Sequence, residues 1–209
     1  WYQNHEPLGG SLYMGFGHGM TLEPQGFDAR TMERLRSWLS STWPVPVAIE
    51  LFQDAKDRLD RAEYRLAVID ARTALEVLVD EVLLGYFSAS SASLEKACHI
   101  LGVEPRTVQT LEDSLQRSPI NRKVGYALKQ AINLDLHNGN PPLWQRWLRA
   151  KELRERGAHR GEEVDRAEAV EAVNTMGEVI DNIRQSLRST PWLQDQPEIN
   201  QWDRTPDVP

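Results

Sequence analysis

The sequence predicts an all-α protein: an up-and-down helical bundle with a Gly-rich N-terminal arm and a Pro-rich C-terminal tail. Three observations predict it. Apolar residues recur at three- and four-residue spacing through 47–87, 121–134 and 163–188. Proline falls between those stretches and never inside them. Outside Leu12-Tyr13-Met14-Gly15-Phe16, which reads as a short strand, no segment pairs as a sheet would. The organisation that follows is an arm or the end of an upstream domain at 1–26, a bundle at 27–190 and a tail at 191–209.

The arm carries Gly9, Gly10, Gly15, Gly17, Gly19 and Gly26, a density that disfavours helix. It lacks the Lys-Ser/Thr ending of a phosphate-binding loop. His5 and His18 read as surface residues. Because the chain begins at Trp1 without a methionine, it reads as a piece of a longer protein. Asp28 can cap a first helix whose stripe is Met32, Leu35, Trp38 and Leu39, and Trp43-Pro44-Val45-Pro46 stops it.

Two helices follow. The first covers about 47–60, with Val47, Leu51, Phe52, Ala55 and Leu59 turned inward. After a break at Arg61-Ala62-Glu63, the second runs to about 87 with Tyr64, Val68, Ala71, Leu75, Leu78 and Val82 on one stripe. Leu66, Ile69 and Leu83 add apolar surface elsewhere, which marks this helix as central. Asp70, Arg72, Glu76 and Asp80 also sit on it, and Arg72 with Glu76 forms an ordinary pair one turn apart.

Ser93 can cap a short helix at 94–101. Pro105 opens another through 106–115, and 121–134 reads as a third. His137-Asn138-Gly139-Asn140-Pro141-Pro142 has turn chemistry. His99 and His137 lack partners at ligand spacing and read as structural. Leu143, Trp144, Trp147 and Leu148 mark a helix from Pro142 to about Ala150, with Gly157 loosening or ending it. The last long helix, 163–188, buries Val164, Ala169, Val173, Met176, Ile180, Ile183 and Leu187. Its acidic start (Glu162, Glu163, Asp165) and basic end (Arg184, Arg188) suit the helix dipole. This helix and the central one are expected to pack together. Thr190-Pro191 ends it, and Trp192 and Trp202 lie in the proline-rich tail.

Composition narrows the function. A formal net charge of −7 argues against a non-specific nucleic-acid coat, although it leaves room for a local basic site. The single Cys98 makes no internal disulfide and no cysteine metal site, and it fits a reducing, cytoplasmic setting. No apolar run is long enough to span a membrane, and no secretory signal is visible.

The chemistry concentrates in Leu153-Arg154-Glu155-Arg156-Gly157-Ala158-His159-Arg160-Gly161. Arginine stays charged and forks onto phosphate, and an imidazole exchanges a proton near neutrality. Together they suit binding a phosphodiester and moving a proton beside it. The plainer reading is a cationic helix end that answers the helix dipole.

Tyr64-Arg65-Leu66-Ala67-Val68-Ile69-Asp70-Ala71-Arg72-Thr73-Ala74-Leu75-Glu76 resembles the second helix of many HEPN bundles. The Arg154–Gly161 run, placed before an amphipathic last helix, resembles their Arg-x4-6-His signature. The resemblance covers about 47–188 and is nearest the Apea-like and abortive-infection branches. It implies a homodimer joined through the motif face and a metal-independent endoribonuclease that needs no cofactor. RNA would be the substrate, and a regulatory domain or partner would control the activity in a prokaryotic defence or toxin system.

Carried over by position, His159 is the acid/base and Arg154 the phosphate clamp. Arg156 and Arg160 are candidates for substrate binding, with Glu155 and Glu76 in support. The products implied are a 2′,3′-cyclic phosphate and a 5′-hydroxyl. Glu155 departs from the pattern, since active members usually carry Asn, Asp or His after the arginine. A catalytically inactive dimerisation or partner-docking module is the alternative. A nucleotide-phosphate sensor built on Arg154, Arg156 and Arg160 is a third reading.

Overall fold

The computed structural model describes residues 46–138 and 142–190. Every described residue belongs to one compact unit, which begins at Pro46. The glycine-rich arm, the helix expected after Asp28, the Gly139–Pro141 turn and the tail from Pro191 lie outside the described residues. Within them the protein is all-α: seven helices pack together and no strand is present among the described residues.

The first helix, α1 (Val47–Asp60), enters from Pro46, whose ring suits the residue before a helix. Its inward positions include Ala48 and Ala55, whereas Val47 is 54% exposed, contrary to expectation. Val47 is the first helical residue, and the turn places Ala48 on the core side instead. Ala62, at φ +60°, makes the tight reversal into α2 (Tyr64–Ala89).

The α2 helix is central. Val68, Ala71, Leu75, Leu78, Val79, Val82 and Leu83 are all essentially inaccessible, a coverage wider than one stripe. Ser93 caps α3 (Leu94–Leu101) by accepting from the Lys96 N–H, and Gly102 ends it at φ +68°. The helix expected over 106–115 is divided. Pro105–Thr107 forms a single 3₁₀ turn, and α4 (Leu111–Arg117) starts afresh where Thr110 accepts from the Asp113 N–H. Thr110 supplies the local cap that makes this restart favourable.

The next helix, α5, has three consecutive pieces: Ile120–Arg122, a π-helical turn at Lys123–Ala127, and Leu128–Ile132. Apolar spacing does not distinguish a π turn from α-helix. Beside this turn Gly125 lies against Trp144, so close that a Cβ there would come within 2.8 Å of the indole.

Two long helices complete the bundle: α6 (Leu143–Arg160) and α7 (Arg166–Arg188). Gly157 does not end α6, as the sequence suggested. It is buried inside the helix, where Arg65 and Val164 pack over it, and a Cβ would stand 3.2 Å from Arg65 Cγ. Gly161, at φ +66°, is the actual stop. A capping box opens α7: Asp165 accepts from the Glu168 N–H, and the Glu168 carboxylate accepts from the Asp165 N–H.

Cross-contacts fix the directions. Arg58 pairs with Asp70, so α1 opposes α2. Trp147 lies by Arg72 and Gly157 by Arg65, so α6 also opposes α2. Arg146 reaches Glu171 and Glu178 while Arg156 reaches Glu168, so α6 opposes α7 as well. The central and last long helices pack together, as expected, and run the same way. Among the described residues, no helix is long and apolar enough to cross a membrane.

A candidate phosphate site at the α2–α6 seam

The seam between α2 and α6 departs from the apolar packing elsewhere. Arg72 occupies a position on α2 that its neighbours Val68, Ala71 and Leu75 place in the core, and it is 4% exposed. Two of its nitrogens, Nε and Nη2, donate to one oxygen of Glu76, at 3.0 and 2.8 Å. Its guanidinium carbon lies 5.3 Å from the centre of the Trp147 ring, which is itself fully buried on α6. Burial holds the Arg72 pKa below the usual guanidinium value, against the pull of Glu76, and Arg154 pushes it the same way. A cation is buried here with one carboxylate, one aromatic face and a second cation beside it.

From α6, Arg154 and Glu155 lie within electrostatic reach of Arg72, and Arg154 is half-buried. The Glu155 carboxylate accepts from Lys151 at 2.8 Å, which with Arg72 and Arg154 holds it below the ordinary carboxylate range. Thus Arg154, Glu155 and Glu76, three of the residues picked out by sequence, share one locality with Arg72. Three cations (Arg72, Lys151 and Arg154) and two carboxylates (Glu76 and Glu155) meet along this seam.

The other predicted residues stand apart. Arg156 pairs with Glu168 at 3.1 Å and with Glu162 at 3.6 Å. Arg160, with a 73% exposed side chain, lies 3.7 Å from Glu162. Both cations expected to bind substrate are therefore answered by acids of the α6–α7 connection and the first turn of α7. His159 lies in the last turn of α6. Because the helix is unbroken, residues five apart, such as 154 and 159, are about 140° apart around its axis.

Sequence reasoning passed over Arg72 and Trp147 as site residues. The available signal was a charged residue embedded in an otherwise apolar 3–4 stripe, which an i,i+4 partner seemed to explain. A second buried cation also went unnoticed. Lys123, on the π turn, donates to Asp80 at 2.6 Å with only 7% of its side chain exposed. Burial raises the Asp80 carboxyl above its ordinary range, and Lys123 opposes that shift. Arg72, Glu76 and Asp80 follow one another at four-residue intervals, so a polar line runs along α2 from the Arg154 end to Lys123.

His137 is structural, as expected: its Nδ1 lies 3.2 Å from Asp135, and its ring packs on Trp144 with centroids 4.6 Å apart. Trp144 in turn stacks on Trp147 at 5.1 Å. His99 is exposed, and its carbonyl accepts from Arg122 Nη2 and from the Gly102 N–H. No cluster of three or more His, Cys, Asp or Glu suited to a metal occurs among the described residues. In comparisons with known proteins, no family model, no curated protein and no solved structure matches this chain.

Proposed function

We propose that this bundle is a HEPN-like, metal-independent endoribonuclease effector of a prokaryotic defence or toxin system, acting as a dimer with a composite Arg/His site. The observation that carries the reading is the setting of Arg154. It stands half-buried beside the buried Arg72, five residues before His159 on the same helix. In the proposed reaction a ribose 2′-OH attacks the adjacent phosphorus. The 2′-proton leaves to a base, and the P–O5′ bond breaks as that oxygen gains a proton. The products are a 2′,3′-cyclic phosphate and a 5′-hydroxyl. Arg154 stabilises charge gathering on the phosphoryl oxygens, and His159 exchanges the proton.

The angle of about 140° between positions 154 and 159 on a straight helix favours a site shared between two copies. In it, Arg154 of one protomer works with His159 of the partner subunit. A second reading, a catalytically inactive dimerisation or docking module, is favoured by the carboxylates that already answer Arg156 and Arg160.

The test is RNA cleavage by the full chain in EDTA, with Arg154→Ala and His159→Ala compared at matched dimer content. The nuclease reading expects the parent to cut and each variant to lose cleavage. Mixing the two dead variants would then restore about a quarter of parental activity, because about half of the exchanged dimers are mixed and each of those holds one intact site of two. Cleavage without rescue would place both residues in one protomer's site. A parent that dimerises and leaves RNA intact would decide for the docking module.

A further inference from the structure

The π turn of α5 is held by two contacts with other helices, one ionic and one steric. Lys123, its first residue, donates to Asp80 of α2 at 2.6 Å. Gly125, two residues later, lies against the Trp144 indole of α6 with no room for a Cβ. Such turns are rare and occur mostly as single turns inside α-helices, frequently at functional sites. The two halves of the ionic contact are unequally buried: the lysine side chain is 7% exposed and the carboxylate 36%. Water and protons therefore reach the anion, while the cation sits behind it. A buried cation keeps its place only while a counter-charge answers it.

The surroundings of Asp80 favour loss of that counter-charge. Burial is the largest influence, and it pushes the carboxyl above its ordinary range. Lys123 faces Asp80 from α5 and opposes protonation, while Glu76 faces it from one turn earlier on α2 and promotes it. Among the described residues, no charged group of α1, α4, α6 or α7 acts on it. Because the folded carboxyl stands above its unfolded range, the folded protein takes up this proton before the unfolded chain would. Acid therefore neutralises Asp80 in an intact bundle.

We infer that the Lys123–Asp80 pair is a proton-operated latch: closed, it holds the π turn on α2, and when Asp80 takes a proton Lys123 turns to water and the turn comes away while the bundle stays folded. Gly125 belongs to the same turn, so its seat against Trp144 is given up with it. Trp144 stacks on Trp147 at 5.1 Å, and Trp147 faces Arg72 at 5.3 Å, so release reaches the α2–α6 seam. The latch rests on these contacts and stands whether or not the protein cuts RNA.

The experiment is amide hydrogen exchange of the full chain between about pH 7 and pH 4, read by nitrogen–proton spectra and expressed as protection, which removes the intrinsic pH dependence of exchange. The carboxyl carbon of Asp80 is followed in the same samples. The inference expects protection at 124–128 to fall by about tenfold as Asp80 titrates, with protection in α7 unchanged. Asp80→Asn, which fixes a neutral side chain, should show the released state already at pH 7. Lys123→Met, which puts an apolar chain where the buried cation lay, should stay protected throughout. Protection at 124–128 that ignores the Asp80 titration, or that falls only together with α7, would overturn the inference. So would an Asp80→Asn chain as protected as the parent at pH 7, or a pH response retained in Lys123→Met. Should either variant fold poorly, the parental titration still decides, because it needs no substitution.

Discussion

The α2 helix packs through two chemistries, and the contrast separates what holds this protein together from what it could do. Toward α1 and α7 it presents alanines, valines and leucines, and α7 answers with Ala169, Val173, Met176, Ile180 and Ile183. Toward α6 it presents Arg72 and Glu76, and α6 answers with Trp147, Arg154 and Glu155. The first contact is close-packed and tolerates little change in volume. The second retains a buried cation, which is expensive to desolvate and gives weak evidence for stability. A seam that could have been apolar and is instead ionic is the natural place to look for binding.

The sharpest test of this contrast is to truncate each side. Ile183→Ala, in the α2–α7 interior, removes a fully buried side chain, and the loss is about 2–5 kcal/mol in urea unfolding. Arg72→Met, at the seam, keeps much of the volume and removes the buried charge. Its Glu76 partner has a 38% exposed side chain and can turn to water. The stability change is expected within about 1 kcal/mol, in either direction, while the proposed RNA cleavage falls with the loss of the cation beside Arg154. A loss at Arg72→Met equal to that at Ile183→Ala would make the seam structural and erase the contrast.

The two helices flanking α2 also differ at their starts. α7 has a reciprocal capping box at Asp165 and Glu168, whereas α6 begins at Pro142 with no side-chain cap. Asp165→Ala should cost about 1 kcal/mol, read from the unfolding midpoint at unchanged m-value. A smaller effect follows from Ala62, which holds φ +60° in the α1–α2 turn. Ala62→Gly relieves that strain and should stabilise by about 0.5–1 kcal/mol, less the extra entropy glycine gains on unfolding.

How far the sequence revealed these features follows the same division. The apolar sector was legible because burial writes itself as a 3–4 repeat. The stripe from Val164 to Leu187 is buried at every position read from it, and Ser93 caps where expected. Gly157 misled because helix propensity is a local measure, whereas the Arg65 side chain packed over it comes from another helix. The π turn at Lys123–Ala127 was invisible for the same reason, since its neighbours Trp144 and Asp80 are distant in sequence. At the seam, Arg154, Glu155 and Glu76 were legible one by one. Their meeting with Arg72 and Trp147 was not, because it exists only once two helices have docked.

The smallest effect separates a polar contact that holds a loop from the polar contacts at the seam. Asp135 accepts from Lys129 at 2.6 Å and from the His137 backbone N–H at 3.0 Å. The Lys129 bond leads, and together they bring its carboxyl down from 3.8 to about 2. Because the folded pKa is depressed, this contribution is fully present above the unfolded carboxyl range. It disappears as pH falls through that range toward about 2. The parent should therefore be more stable than Asp135→Asn at pH 6, and the gap should close on acidification to pH near 2. The difference is expected to be small, since the pair lies at the surface and salt screens it. The proposed RNA cleavage should be the same in Asp135→Asn as in the parent. A change there would mean that the His137–Trp144–Trp147 stack transmits to the seam, and the structural and binding polar contacts would then be one system.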